Sequence, residues 1–385
     1  MSDLPMLFTP MQLRELRLRN RVVVAPMHQY AASEGFPTDW HLVNAGRYAA
    51  GGAGLVMMES TKVERRGCGT LGDLGLWKDE FIAPLARIVQ FIHDCGAAAG
   101  IQLGHSGRKA RTGRPWEGSK PLGPDCGVSD WEAWELVAPS ALAADANSPV
   151  PRALSTVEVR EVVEAFGKAA ARADAAGFDT VEIHGAHGFL VHEFLSPQAN
   201  QRTDVYGGSE ANRRRFALEV AECVRAAWPA HKPLFMRLSV DDDAGWGPAD
   251  SIVLARELKA CGVDVIDCSA GGILARPVSS APLGYSYQVP FAEALKRDAQ
   301  VQTMAVGLIV HAAQAERILQ EGRADLIALA REMQHNPNWA LDAALKLGVP
   351  NAFTLTPPAT GWWLSKRMAS MPSLVTSTHD MPANW

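Results

Sequence analysis

Three observations predict a (β/α)8 barrel for this chain. Eight short β-branched or apolar runs alternate with helical patterns at similar spacing, the sequence form of a parallel sheet whose strand ends collect on one face. The length, 385 residues, suits such a barrel with insertions. The competing architecture, an open doubly wound sheet, normally carries GxGxxG after its first strand; here the first strand runs into Pro26-Met27-His28-Gln29-Tyr30.

Residues 7–21 alternate apolar and basic, which reads as a short hairpin capping one end of the barrel. Strands are expected at 22–25, 55–59, 98–103, 180–183, 234–238, 263–269, 302–306 and 325–330. Helices are expected near 41–50, 79–95, 250–261, 290–298 and 311–320. A further long helix is expected up to Ala176, opened by a capping box at Ser155 or Thr156 with Glu158 or Glu161, and stopped by Gly177. After the third strand and Gly104-His-Ser-Gly-Arg-Lys109, roughly forty residues lack periodicity, and a loop that long is usually a functional excursion. The expected organisation is one barrel domain over 1–367 and an irregular tail over 368–385.

Composition excludes several classes. With 47% hydrophobic and 21% charged residues and a net charge of −5, nothing draws the chain to nucleic acid or anionic lipid. No apolar run approaches the ~18 residues of a membrane span, and Met1-Ser-Asp-Leu-Pro5 has no signal-peptide character. Cys68, Cys95, Cys126, Cys223, Cys261 and Cys268 lack CxxC spacing, so reduced thiols in the cytoplasm are expected rather than disulfides or zinc.

The fourth strand carries the most informative stretch, Thr180-Val-Glu-Ile-His-Gly-Ala-His-Gly-Phe-Leu190. Two imidazoles at the mouth of a strand, His184 and His187, can both donate to one oxygen that gains negative charge during a reaction. A pair of structural histidines is the plainer alternative. Gly307 and Ala330-Arg331 follow the seventh and eighth strands, where barrels commonly bind phosphate. A surface salt bridge is the alternative for Arg331.

Pro26-Met27, Tyr30, Gln102, Gly104-His-Ser-Gly-Arg-Lys109, His184-Gly-Ala-His187 and the block Ser196-Pro-Gln-Ala-Asn-Gln-Arg-Thr-Asp-Val-Tyr-Gly-Gly-Ser209 together resemble the Old Yellow Enzyme flavoproteins. Asn212-Arg213 and Arg215-Phe216 extend the match, which runs over roughly residues 5–367. Asp39-Trp40-His41, Arg114-Pro-Trp-Glu-Gly118 and Trp134 through Pro139-Ser140 are most similar to the xenobiotic-reductase branch of class III.

The resemblance implies a TIM-barrel ene-reductase that holds FMN and takes hydride from NADPH or NADH. It places Ala25, Pro26, Met27 and His28 along the flavin, Ser60 and Gln102 at the isoalloxazine edge, Arg237 on the N1/O2 side, and Ala330 and Arg331 at the FMN phosphate. It gives His184 and His187 the oxygen of a small-molecule substrate, an electron-poor alkene or nitro compound, with hydride passing from flavin N5 to the β-carbon. It also implies a homodimer or higher homo-oligomer in which the segment around Trp363 reaches a neighbouring active site. A core helix holding both Trp362 and Trp363 is the alternative.

Two departures stand out. Many class III members have cysteine directly after the Pro-Met pair, whereas this chain has His28. The family's usual proton donor is a tyrosine two residues after the second histidine, whereas this chain has Phe189, which lines the substrate side but cannot donate. Tyr30, His28 or water must then supply the proton, or the same flavin barrel runs redirected chemistry: oxidation, amine dehydrogenation or aromatic acyl reduction. A metal-dependent hydrolase built on His184, His187 and His105, and a flavin sensor without turnover, are the readings from other classes.

Overall fold

The computed structural model describes residues 4–274 and 283–374. Its strands are β1 Met11–Leu13, β2 Leu16–Leu18, β3 Val22–Val24, β4 Leu55–Lys62, β5 Ala98–Gly104, β6 Val137–Ala138, β7 Arg152–Ala153, β8 Thr180–Gly185, β9 Leu234–Ser239, β10 Val265–Ser269, β11 Gln302–Ala305 and β12 Leu326–Leu329. Eight of them close a barrel in the order β3-β4-β5-β8-β9-β10-β11-β12, every neighbouring pair parallel. The fold is the expected (β/α)8 TIM barrel.

Side chains alternate along each strand, and the alternation splits the core in two. Val23, Leu55, Met57, Phe235, Val265 and Leu326 pack together inside the barrel. Val22, Val56, Ile101, Ile183, Met236 and Ile327 face out against the helices. The hairpin β1-β2 turns at Arg14, whose φ is +49°. Arg14 then clamps Asp264, just before β10, with Nε 2.8 Å from both carboxylate oxygens, which fixes the hairpin at the N-terminal rim. The opposite rim is left for chemistry.

The capping box belongs to Ser155 and Glu158: Ser155 Oγ accepts the Glu158 N–H at 3.3 Å and Glu158 Oε2 accepts the Ser155 N–H at 2.8 Å. The helix it opens is Thr156–Ala175. Four helices were not expected: Leu190–Leu195, Glu210–Ala227, Arg331–His335 and Trp339–Lys346. The second buries Phe216, Ala217, Val220, Ala221 and Val224, a face made mostly of small residues behind a run of arginines, so its apolar period is faint. A second correction concerns β4. It does not end at Glu59 but continues through a bulge between Met58 and Ser60 to Lys62.

The excursion after β5 folds as short 3₁₀ turns around the pair β6-β7. Buried Trp134 anchors it, donating from Nε1 to Cys68 O at 2.8 Å. At the other end of the chain, helix Pro358–Ser370 carries Trp362 and Trp363. Both rings are more than half exposed, which overturns the alternative that they pack a core. Residues 375–385 of the expected tail lie outside the described residues. Among the described residues no helix is long and apolar enough to cross a membrane.

Candidate active site

Parallel register sets which groups meet at the open rim. Along β8 the outward Val181 and Ile183 leave Thr180, Glu182 and His184 facing in. The same alternation from Phe235 and Val265 turns Arg237 and Ser239 of β9, and Asp267 and Ser269 of β10, into the barrel. On β4 the bulge changes the phase. Leu55 and Met57 face in before it; after it Ser60 pairs with Gln102 and Lys62 with Gly104. A bulge that re-aims side chains next to a site is a common device, and here it brings Ser60 and Lys62 to the mouth.

The lower inward layer is charged and buried. Gln102 Nε2 donates to Glu182 Oε1 at 2.7 Å, and Arg237 Nε lies 3.2 Å from Asp267 Oδ2. Burial, and then the neighbouring Asp267, push the Glu182 carboxyl up to about 8. Burial also raises Asp267, while Arg237 opposes that rise. Two carboxyls thus lie in the field of one guanidinium, and burial pushes both toward their protonated forms. None of Arg237 Nε, Glu182 Oε2 or the Asp267 oxygens has a hydrogen-bond partner among the described residues.

Above this layer stand the two histidines. Their rings are 5.2 Å apart and nearly perpendicular, at 89°. His184 Nδ1 accepts the Ala186 N–H at 3.3 Å, which puts the ring proton on Nε2. His187 pairs through Nε2 with Ser269 Oγ at 2.7 Å, leaving Nδ1 as its other polar atom. Burial drives the pKa values of both well below the ordinary histidine range, and neighbouring positive charge adds to it, so both rings are neutral at physiological pH. His187 has a φ of +60°, an unusual state for a side chain with a Cβ. Its backbone is held by bonds from Lys109 Nζ to His187 O at 2.7 Å and from the His187 N–H to Ser239 Oγ at 2.9 Å; Lys109 also donates to Gly272 O. Gly272, at φ +102°, passes so close that a Cβ there would lie 2.3 Å from His187 Cα.

Phe189 packs edge-on against His184 at 4.9 Å and faces His28 at 6.1 Å. His28 stacks on Tyr30 at 5.4 Å. These two line an open cleft of about 670 Å³ with Gln29, Trp40, Arg114, Trp116 and Gln334. Arg114 Nε donates to Tyr30 O at 3.1 Å and Trp116 meets the Tyr30 ring at 5.5 Å, so the excursion folds back over the mouth.

Sequence reasoning missed Lys62, Asp73, Glu182 and Asp267. Lys62 is fully buried. Its Nζ lies 3.1 Å from His28 Nε2, 3.2 Å from Ser60 Oγ and 3.4 Å from Asp73 Oδ2, and sits 5.2 Å from the Phe189 ring centre. Burial, then the Lys62 charge, lower the His28 pKa. Burial pushes the Asp73 carboxyl up, but Lys62 and the bonds from Thr70 and Gly69 hold it below its ordinary range. Alternation could have revealed Glu182, two residues before His184. Nothing local could have revealed Lys62, because the bulge sets its direction.

Of the expected residues, the structure brings Ser60, Gln102, His184, His187 and Arg237 to one rim, with His28, Tyr30 and Phe189 beside them. Gly307 (φ +108°) and Ala330 follow the neighbouring strands β11 and β12; Arg331 is exposed. His105 is turned away: Nε2 lies 3.0 Å from Glu64 Oε1 and Nδ1 accepts from Gly107 N. Among the described residues no group of three His, Cys, Asp or Glu side chains could hold a metal ion.

Such a barrel mouth, with a buried cation, a carboxamide and two neutral imidazoles, suits a flavin oxidoreductase. Residues 6–348 match the model of the NADH:flavin oxidoreductase / NADH oxidase family. The NADPH dehydrogenase of Bacillus subtilis (strain 168) is 42% identical over 345 residues, covering 89% of this chain and 95% of that protein. Among solved structures, morphinone reductase superposes with a TM-score of 0.73 at 29% identity over 90% of each chain. The Old Yellow Enzyme homologue from Zymomonas mobilis gives 0.70 at 26%, over 90% of this chain and 94% of that one. The chain belongs to the Old Yellow Enzyme family of flavin oxidoreductases. It is an NAD(P)H:flavin oxidoreductase with FMN as cofactor and NADPH or NADH as donor.

The residues present fit that cofactor. Polar atoms on Arg237, Glu182 and Asp267 that lack a hydrogen bond among the described residues lie beneath the rim, beside the Ser60 hydroxyl and Gln102 amide. Gly104 leaves room above them, since a Cβ there would lie 2.4 Å from Ser60 Oγ.

Proposed function

We propose that this enzyme reduces electron-poor C=C bonds in α,β-unsaturated carbonyl or nitro compounds. The observation that carries the reading is the pair of neutral, perpendicular imidazoles of His184 and His187. A neutral imidazole donates one hydrogen bond without bringing a charge, and two such donors at one point favour an oxygen that becomes anionic. His184 donates from Nε2 and His187 from Nδ1. Ser269, Ser239 and Lys109 keep the second ring from turning away.

Ala25, Pro26, Met27 and His28 would line one side of the FMN ring system, with Ser60, Gln102 and Arg237 at its polar edge. Gly307, Ala330 and Arg331 would hold the phosphate. Bound FMN supplies two-electron carriage from the nicotinamide to the substrate carbon. Arg237 would supply a fixed positive charge there, and burial, which favours the protonated forms of Glu182 and Asp267, would limit the opposing negative charge. Tyr30 and Phe189 wall the substrate.

The same reading takes the protein as a cytoplasmic enzyme of the xenobiotic-reductase-like branch, with one barrel domain over 1–367. Six cysteines without a disulfide accord with the compartment. The exposed Trp362-Trp363 pair, rings 4.6 Å apart, accords with Trp363 reaching a second subunit of a homo-oligomer.

Anaerobic stopped flow tests the chemistry in two halves. NADPH or NADH is expected to bleach the flavin absorbance, and 2-cyclohexenone to restore it. Bleaching without recovery by the enone sinks the ene-reductase reading. Phe189, which carries no proton between His184 and His28, would then favour the redirected chemistry, and amines, aromatic thioesters and nitroarenes would be screened next.

A further inference from the structure

We propose that Lys62, charge-balanced by Asp73, is the proton reserve of the active site and works through His28, which it holds with Nδ1–H as the donor. The proposal rests on the ene-reductase reading for its substrate, but not for the placement of these groups.

Lys62 has three N–H donors and no acceptor while it is charged. Two of them meet His28 Nε2 and Ser60 Oγ, at 3.1 and 3.2 Å, and the Asp73 carboxylate lies 3.4 Å away as the ion-pair partner. With its charge balanced by Asp73, this buried cation is not placed to bind a substrate anion. The bond to His28 has only one direction, because an ammonium cannot accept. Nε2 therefore carries the lone pair, and a neutral His28 carries its proton on Nδ1. His28 is only partly buried and borders the open cleft with Tyr30, whereas Lys62 is sealed behind it. The imidazole thus lies between a buried cation and the substrate cleft. The Lys62 ammonium and His28 ring also converge on the Phe189 ring, the side chain that leaves this wall without an acid.

An imidazole N–H is by itself a feeble acid. An ammonium is not: its ordinary pKa of about 10.4 is close to the about 10 of a phenol. The two together can do what neither does alone. When the substrate β-carbon has taken its hydride, the electron pair left at the α-carbon forms a C–H bond with the Nδ1 proton of His28. The Nδ1–H bonding pair stays on the ring, and Nε2 takes a proton from Lys62 Nζ, which becomes a neutral amine beside Asp73. Water in the cleft then returns a proton to Nδ1 while Nε2 hands one back to Lys62. No charge is left stranded on His28. In this cycle His28 is the catalytic residue and Lys62 a positioning residue and proton store.

The test uses the FMN-loaded enzyme. Long-range ¹H–¹⁵N NMR, with His28→Asn to assign the ring, is expected to show an Nδ1–H tautomer in the parent and its loss in Lys62→Met. Because that change strands Asp73, Lys62→Met with Asp73→Asn is the paired variant that removes both charges. In single turnovers bleaching by NADPH is timed separately for every variant, so that a loss in the second half is read on its own. Recovery with 2-cyclohexenone is expected to slow roughly 10²- to 10⁴-fold, the span of a general acid, with His28→Asn giving a similar loss and the combination no further one. An unchanged tautomer, or an unchanged recovery rate, overturns the proposal. So does a loss produced by Tyr30→Phe alone. If the parent is bleached but never recovers with the enone, the ene-reductase reading has failed instead, and the tautomer still decides whether Lys62 holds His28.

Discussion

The two sides of the barrel mouth each hold histidine, and they hold it in opposite ways. On β8 to β10, the rings of His184 and His187 meet neutral partners, a backbone N–H and the Ser269 hydroxyl, while the cationic Lys109 grips only backbone carbonyls. On the β3 and β4 side, His28 is set by an ammonium that is itself paired with a carboxylate. The first arrangement keeps donors constant in charge, which suits stabilising an oxyanion. The second stores a proton behind a ring that can pass it on. Burial first, and nearby positive charge after it, lowers all three histidine pKa values, so it is the hydrogen-bond partners that divide the labour.

The largest expected effect falls on the charged side. Asp73→Asn leaves the Lys62 ammonium buried without its counter-ion, and losing one partner of such a pair costs about 3–5 kcal/mol; urea denaturation of the holoenzyme measures it. Removing both charges should restore much of that loss. Equal stability of Asp73→Asn and the parent would show that the two sides do not differ in charge as described.

Next comes the neutral side. His184→Ala is expected to slow flavin recovery by enone roughly 10²- to 10³-fold, the usual value of one oxyanion donor, while bleaching by NADPH proceeds. A loss confined to bleaching would move His184 off the substrate oxygen. Lys109→Met is expected to cost up to about 100-fold in the same half-reaction, because a small misplacement of His187 spoils its aim. The effect should appear in the rate of saturated turnover, and a crystal structure should show the His187 φ relaxing from +60°.

The last effect is a slope, spread over several pH units, that probes the layer beneath both sides. Glu182 is raised from the ordinary carboxyl value to about 8. A raised folded-state value means that its contribution to stability is complete below the ordinary carboxyl range and is lost as pH rises through about 8. In that window the parent should lose about 1 kcal/mol per pH unit from this group, and Glu182→Gln should not. Parallel stability curves for the two proteins between pH 5 and 9 would remove Glu182 as the protonated member of the pair.

Much of this was legible in the chain. Runs such as Val22-Val-Val24 and Leu326-Ile-Ala-Leu329 announce buried parallel strands, and their spacing announces the barrel. His184 and His187 could be read because they follow such a run within four residues. Glu182 shares the inward face of His184 by simple alternation and could have been read with it. The helix Glu210–Ala227 was obscured because alanines, not large apolar side chains, bury its face.

The sequence by itself thus determined the barrel, its flavin family and the histidine pair, since strand period and short motifs are local properties of the backbone. Only the tertiary structure decided the rest. One extra residue at the β4 bulge turned Lys62 inward, and barrel closure brought it to His28 from the preceding strand's loop and to Asp73 beyond. Register across parallel strands set Glu182, Arg237 and Asp267 in one layer. Both depend on contacts between distant segments, and a side chain's charge state depends on its neighbours after the water has gone.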